Sequence, residues 1–308
     1  MTKDRPKNIA ASVRSRLLKI ARERGEDFQL VLIQYALERM LFRLSHSEYS
    51  DRFVLKGAML FQVWSGERHR PTRDIDFLGH GEPSEANFQK VFEDICGTEV
   101  DDDGLKFDAT SIQVRTMKEA EKYRGIRIKL NASLDSARIP VQIDIGFGDA
   151  ITPGVIEIDY PVILDFAAPK LSAYPRETVV AEKFQAMVML GISNSRMKDF
   201  FDLWKLANLF EFDGPVLSKA IEATFARRET QVPATTPLAL TSEFTHDKQK
   251  MVQWNAFINK TGLDAKEHSL DAIAGELEQF LMPPSKASST EEDFNKSWSC
   301  GGPWTASG

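Results

Sequence analysis

FVLKGAMLFQVWSGERHRPTRDIDFLG, residues 53–79, is the stretch around which the chain is organised. An apolar run with helical spacing carries Lys56 and Gly57 and leads through a polar loop to Asp74 and Asp76, one residue apart in a short apolar segment that reads as a strand. Side chains at i and i+2 of a strand share a face. The spacing therefore predicts two carboxylates side by side, with Ile75 and Phe77 turned the other way. Such a pair calls for a third ligand and a metal ion.

Three strand candidates follow, near residues 111–117, 125–132 and 139–147. GIRIKLNA alternates Ile126, Ile128 and Leu130 with Arg127, Lys129 and Asn131, the pattern of a strand with one buried face. IPVQIDIGFGD alternates Val141, Ile143 and Ile145 with Gln142, Asp144 and Gly146, which sets Asp144 on the face away from the core. Asp74, Asp76 and Asp144 on neighbouring strands make a candidate Mg2+ site. Magnesium takes oxygen ligands from a few carboxylates and substrate phosphates, and paired ions stabilise the attacking and leaving oxygens of a phosphoryl transfer. Gly57 adds weight, because glycine lets the backbone approach a phosphate closely. By pattern alone, Asp144 reads equally well as an exposed strand residue or an ion-pair partner.

Helical periodicity covers residues 9–23, 27–46, 52–64 and 85–95. Irregular, proline-containing sequence at 153–169 marks a change of layer or a domain boundary. From Pro175 the chain reads as helical to Leu281, where Pro283-Pro284 is expected to stop the last helix. The expected division is a helical arm (1–50), a core (51–165), a helical C-terminal domain (166–284) and an extended tail (285–308) docking through Trp298 and Trp304. The expected fold class is α+β.

A second informative stretch is YPRETVVAEKFQAMVMLGISNSRMKDFFDLWKL, residues 174–206. Lys183 lies within an apolar helix and needs a counter-charge or a phosphate, since an unpaired buried ammonium is costly. Arg196, Lys198, Asp199 and Asp202 crowd the start of the next helix, with Arg196, Asp199 and Asp202 roughly on one face. An ion-pair network between two helices explains Asp202 well. Lys183 and Asp199 lean towards a functional role.

Composition bounds the rest. With 308 residues, 42% hydrophobic and 27% charged, the chain is in the range of soluble globular proteins. No apolar run approaches the ~20 residues of a spanning helix, and MTKDRPKN is followed by no apolar signal segment. Cys96 and Cys300 are too few for a disulfide framework. A cytoplasmic protein with no membrane partner is expected. The net charge of −6 argues against coating nucleic acid by bulk charge, although the first 24 residues are basic.

Taken together, LKGAMLF, RPTRDIDFLG, VQIDIGFGD, ETVVAEKFQAM and NSRMKDFFDL resemble the AbiEii/AbiGii toxin family, the nucleotidyltransferase-like toxins of toxin–antitoxin and abortive-infection systems. Five motifs in order carry the resemblance. It implies a polymerase-β-like nucleotidyltransferase core, a mixed sheet with flanking helices, joined to a helical C-terminal region. It also implies nucleotide transfer from an NTP, an RNA acceptor (tRNA for some members) and an antitoxin encoded nearby. On this resemblance Asp74 and Asp76 match the metal motif, Lys183 and Asp199 the essential lysine and C-terminal aspartate, and Gly57 the motif glycine. With the residues read above, the catalytic candidates are Asp74, Asp76, Asp144, Lys183 and Asp199, and the nucleotide-binding candidates are Lys56, Gly57, Arg73, Lys183, Arg196 and Lys198. One departure is Ala58, where the wider superfamily has glycine or serine after the motif glycine. Another is the longer loop to Asp74, whose Arg68, His69, Arg70 and Arg73 are a candidate grip on triphosphate or RNA. A metal-dependent nuclease and a non-catalytic nucleotide-binding module are the alternatives.

Overall fold

A computed structural model describes residues 8–66, 70–119, 123–261 and 269–306. The chain forms two compact units, one made of residues up to Gly148 with Ile156–Ala173, the other of Asp149–Val155 with the residues from Tyr174 onward.

The first unit begins with helices α1 (Ile9–Arg24) and α2 (Phe28–Ser45), each opened by a side-chain cap, Asn8 and Asp27. Strand β1 (Phe53–Lys56), short helix α3 (Leu60–Ser65), β2 (Asp74–Gly79) and α4 (Glu85–Cys96) follow, then β3 (Leu105–Glu119), β4 (Tyr123–Leu134), β5 (Ala137–Phe147), β6 (Ile156–Asp159) and β7 (Lys170–Ala173). Among the described residues these strands make one mixed sheet in the order β3-β4-β5-β2-β1-β7-β6. The expectation of a mixed sheet with flanking helices holds.

The expected helix over 52–64 does not form as one piece. Residues 53–56 are a strand paired with β2, and Gly57, at φ +79°, turns the chain before α3. Phe53 and Val54 suit a strand, and tertiary pairing overrides the helical spacing. Phe53 packs against Phe77, Phe88 and Phe92, which ties β1, β2 and α4 into one aromatic core.

Helix α2 is not set apart as an arm. It is buried along most of its length and carries charge into the interior. Asp103 receives Arg39 Nε at 2.9 Å and Arg43 Nη1 at 2.7 Å. Although burial opposes ionisation, the two guanidinium groups hold the Asp103 carboxyl below its ordinary range. Nearby, Glu38 accepts the Ile163 N–H at 2.7 Å through one oxygen, while its other oxygen has no hydrogen-bond partner among the described residues. Burial pushes the Glu38 carboxyl up to about 8.

The second unit holds α5 (Arg176–Leu190), α6 (Met197–Leu209), β8 (Phe212–Asp213), α7 (Gly214–Arg227), the single-turn α8 (Ser242–Thr245), α9 (Lys248–Thr261), α10 (Leu270–Thr290), β9 (Lys296–Trp298) and β10 (Trp304–Ala306). Helix α10 continues through Pro283 and Pro284, where the sequence predicted a stop. Pro284 has no N–H to give the Phe280 carbonyl four residues back. The Trp304 indole N–H donates to that carbonyl instead, at 2.9 Å. The tail is a β9–β10 hairpin rather than merely extended chain, added to β8. Trp298 and Trp304 do dock, around Phe280. Trp298 donates to the Ala207 carbonyl at 2.7 Å, in the last turn of α6, where carbonyls lack helical partners.

Two outcomes test these assignments. Trp304→Phe keeps a ring but strands the Phe280 carbonyl, and is expected to cost about 1–3 kcal/mol, read as a lower urea midpoint. Glu38 binds its proton more tightly folded than unfolded, so its contribution to stability is complete below the ordinary glutamate range and is lost as pH rises towards about 8. Glu38→Gln keeps the acceptor for Ile163 and should flatten that fall in thermal melts from pH 5 to 9. An unchanged slope would count against a titrating Glu38.

Candidate active site

Three strands deliver the carboxylates and the group that grips them. β2 and β5 run parallel with Asp76 beside Asp144 and Asp74 beside Gln142. Ile75 and Phe77 are buried on the far face while Asp74 and Asp76 are half-buried, as the spacing predicts. Asp74, Asp76 and Asp144 each bring a carboxylate oxygen to within 4.8 Å of the others. This all-oxygen donor set fits a hard cation such as magnesium.

Gly57 sits against this cluster. Lys56 pairs in register with Asp76, so the turn after β1 passes over the Asp76 side chain. A Cβ at residue 57 would collide with the Asp76 carboxylate, and the positive φ independently disfavours any other residue. Glycine is thus required by the carboxylate itself. Beside it, Ala58, Gln62, Arg70, Thr72 and Tyr160 line a small cavity of about 40 Å³. The Thr72 hydroxyl donates to Asp74 Oδ1 at 2.6 Å and holds that side chain in place. Arg68 and His69 of the predicted basic loop lie outside the described residues.

One partner escaped the sequence reading. Arg127 on β4 stands opposite Asp144 and grips it with two hydrogen bonds, Nε to Oδ1 and Nη2 to Oδ2, both 2.7 Å. Those hydrogen bonds push the Arg127 guanidinium above its ordinary value, and the charges of Asp144, Asp74 and Asp76 add to the effect. Gln142 Nε2 lies 3.3 Å from Asp144 Oδ2. The signal was present in the alternation of β4, which puts Arg127 on the face away from the core, but the register across two strands was needed to read it.

In the second unit, Lys183 on α5 bridges Asp199 at 2.6 Å and Asp202 at 2.9 Å, both on α6 and both fully buried. Arg196, just ahead of α6, donates through Nε to the other Asp199 oxygen at 2.6 Å. Burial works against the charge, yet Lys183 and Arg196 hold the Asp199 carboxyl below its ordinary range. Asp202 shares the Lys183 ammonium with Asp199. Lys198 and Arg73 are exposed. Glu182 lies within 3.4 Å of Arg228, which also bonds Asp149 at 3.0 Å, a network not anticipated from the sequence.

Among curated proteins none matches the chain. Two solved structures from Helicobacter pylori resemble it. JHP933 is 15% identical with a TM-score of 0.47, the match covering 84% of this chain and 93% of that one. A protein provisionally described as a nucleotidyltransferase is 15% identical with a TM-score of 0.46, over 84% and 96% of the two chains. The family model for the nucleotidyl transferase AbiEii toxin matches residues 39–276, a span that includes the three clustered carboxylates, Gly57 and the Lys183 cluster. The chain belongs to the AbiEii family of nucleotidyl transferase toxins of type IV toxin–antitoxin systems.

Proposed function

We propose that the protein moves a nucleotide from an NTP onto an RNA acceptor, with tRNA the acceptor the family resemblance favours, and that this transfer makes it growth-inhibiting. The observation that carries the reading is the gathering of three carboxylates against a glycine where a side chain would crowd Asp76 and strain the backbone. Asp74, Asp76 and Asp144 would hold Mg2+. Bound there, the ion would neutralise phosphate charge and stabilise the attacking and leaving oxygens. The backbone at Gly57, with Lys56 and Arg73, would receive the triphosphate. Asp144, oriented by Arg127, would accept the proton of the acceptor hydroxyl. On the family resemblance, Lys183 and Asp199 are assigned as essential to transfer; Arg196 and Lys198, cations at the start of α6, would support nucleotide binding. The partner expected from a type IV system is an antitoxin encoded nearby. No described helix is long and apolar enough to cross a membrane, and the expected compartment is the cytoplasm.

Incubation with RNA and each α-labelled NTP, followed by sizing of the product, tests the reading. Lengthening that depends on NTP is expected, and the Asp74→Ala, Asp76→Ala double variant should abolish both label transfer and toxicity. Transfer by that variant, or RNA shortening without NTP, would overturn the assignment.

Lys183 requires a paired test, because removing it also strips two buried carboxylates of a shared ammonium. Lys183→Ala should lower stability by about 3–5 kcal/mol. Adding Asp202→Asn should restore part of that in thermal melts. If label transfer stays absent in the restabilised double variant, Lys183 serves the nucleotide. Transfer that returns with stability assigns it to the fold alone.

A further inference from the structure

The sheet face that carries the carboxylates continues beyond Asp144 to a cavity of about 370 Å³, lined in part by Arg73, Ser111, Gln113, Lys129, Asn131 and Gln142. Register builds it. Gln113 pairs with Lys129, Lys129 with Gln142, and Gln142 with Asp74, so one row of polar side chains leads from β3 across β4 and β5 to the carboxylates. The lining contains a guanidinium, an ammonium and amide donors, and no Asp or Glu among the described residues. In a chain of net charge −6, this is a local reversal of sign directly beside three carboxylates. Among the described residues, no side-chain hydrogen bond or ion pair engages Arg73 or Lys129. Two cations with hydroxyl and amide donors and no acid between them suit a phosphate, and the volume suits a nucleotide-sized group.

Which phosphate follows from the strand order. β1, with Gly57 at its end, flanks β2 on one side, while β5, β4 and β3 lie on the other. In-line displacement sets the attacking and leaving oxygens on opposite sides of the transferred phosphorus. With the triphosphate on the Gly57 side, the acceptor must enter from the β5 side, which is where the cavity lies. We propose that this cavity holds a backbone phosphate of the acceptor RNA, the one linking the terminal nucleotide to its neighbour, with Lys129 as its cationic partner and Arg73 at the boundary with the triphosphate. The inference rests on the transferase reading for the direction of entry, and on the cavity alone for its affinity for a phosphodiester.

Fluorescence anisotropy of a labelled single-stranded oligoribonucleotide with the full chain, without metal or NTP and over a series of salt concentrations, tests the proposal. Calorimetry of NTP binding runs alongside. Lys129→Glu should weaken RNA binding on the order of tenfold across sequences and make the salt slope shallower by about 0.7 for each phosphate no longer neutralised, with NTP binding retained. Gln113→Glu, an exposed change at the rim of the same cavity, should weaken RNA binding in the same direction and provides a second reading if the first variant folds poorly. Wild-type RNA affinity in both variants overturns the proposal, as does no RNA binding by the wild type. Loss of NTP binding with RNA binding intact also overturns it and gives the cavity to the nucleotide. If the wild type binds no NTP yet binds RNA in a Lys129-dependent way, the transferase reading fails and the phosphate site stands.

Discussion

Three carboxylates with oxygens within 4.8 Å of one another repel, and the first unit depends on how that repulsion is contained. Arg127 takes both oxygens of Asp144 in a fork geometry that a lysine could not reproduce. Thr72 donates to Asp74. Gly57 lets the chain pass over Asp76 at a distance any side chain would forbid. Each carboxylate is therefore held by a different device, drawn from a different strand or turn. Sheet pairing supplies the frame: the parallel β2–β5 register brings Asp76 level with Asp144, and the antiparallel β4–β5 register brings Arg127 level with both.

The two units treat buried charge in opposite ways. In the first, two arginines share one aspartate and a neighbouring glutamate is pushed towards its neutral form, so the interior near α2 has an excess of cation. In the second, one lysine is shared by two aspartates, with a half-exposed arginine added at the rim. Buried ion pairs seldom add much net stability, but they strongly penalise arrangements that separate them. Arg39 and Arg43 thereby fix α2 against Asp103, and Lys183 fixes α5 against α6.

The chemistry was more legible in the sequence than the architecture. Strict alternation around Asp74, Asp76 and Asp144 gave the shared face correctly, because a two-residue period leaves little freedom once one face is buried. The same local logic failed at residues 53–56, where an apolar run with helical spacing became a strand because β2 was there to pair with it. It failed again at Pro283-Pro284, where the missing donor is supplied by a tryptophan from the tail, well beyond the reach of local spacing. Arg127 was visible only as one polar residue among several, since its partner lies across a strand register that sequence spacing does not encode. Lys183 behaved as electrostatics requires, finding counter-charge, and it takes Asp202 as a second partner beside Asp199.

The tryptophan hairpin also bears on synthesis. A helix ordinarily closes its backbone hydrogen bonds with residues a turn away, so it can finish as soon as it is made. Here the Ala207 carbonyl on α6 and the Phe280 carbonyl on α10 receive their donors from Trp298 and Trp304, which leave the ribosome after both helices. The helical unit is thus completed in reverse order of manufacture, and a chain interrupted between the proline pair and Trp304 would carry at least one helix with an unfinished backbone.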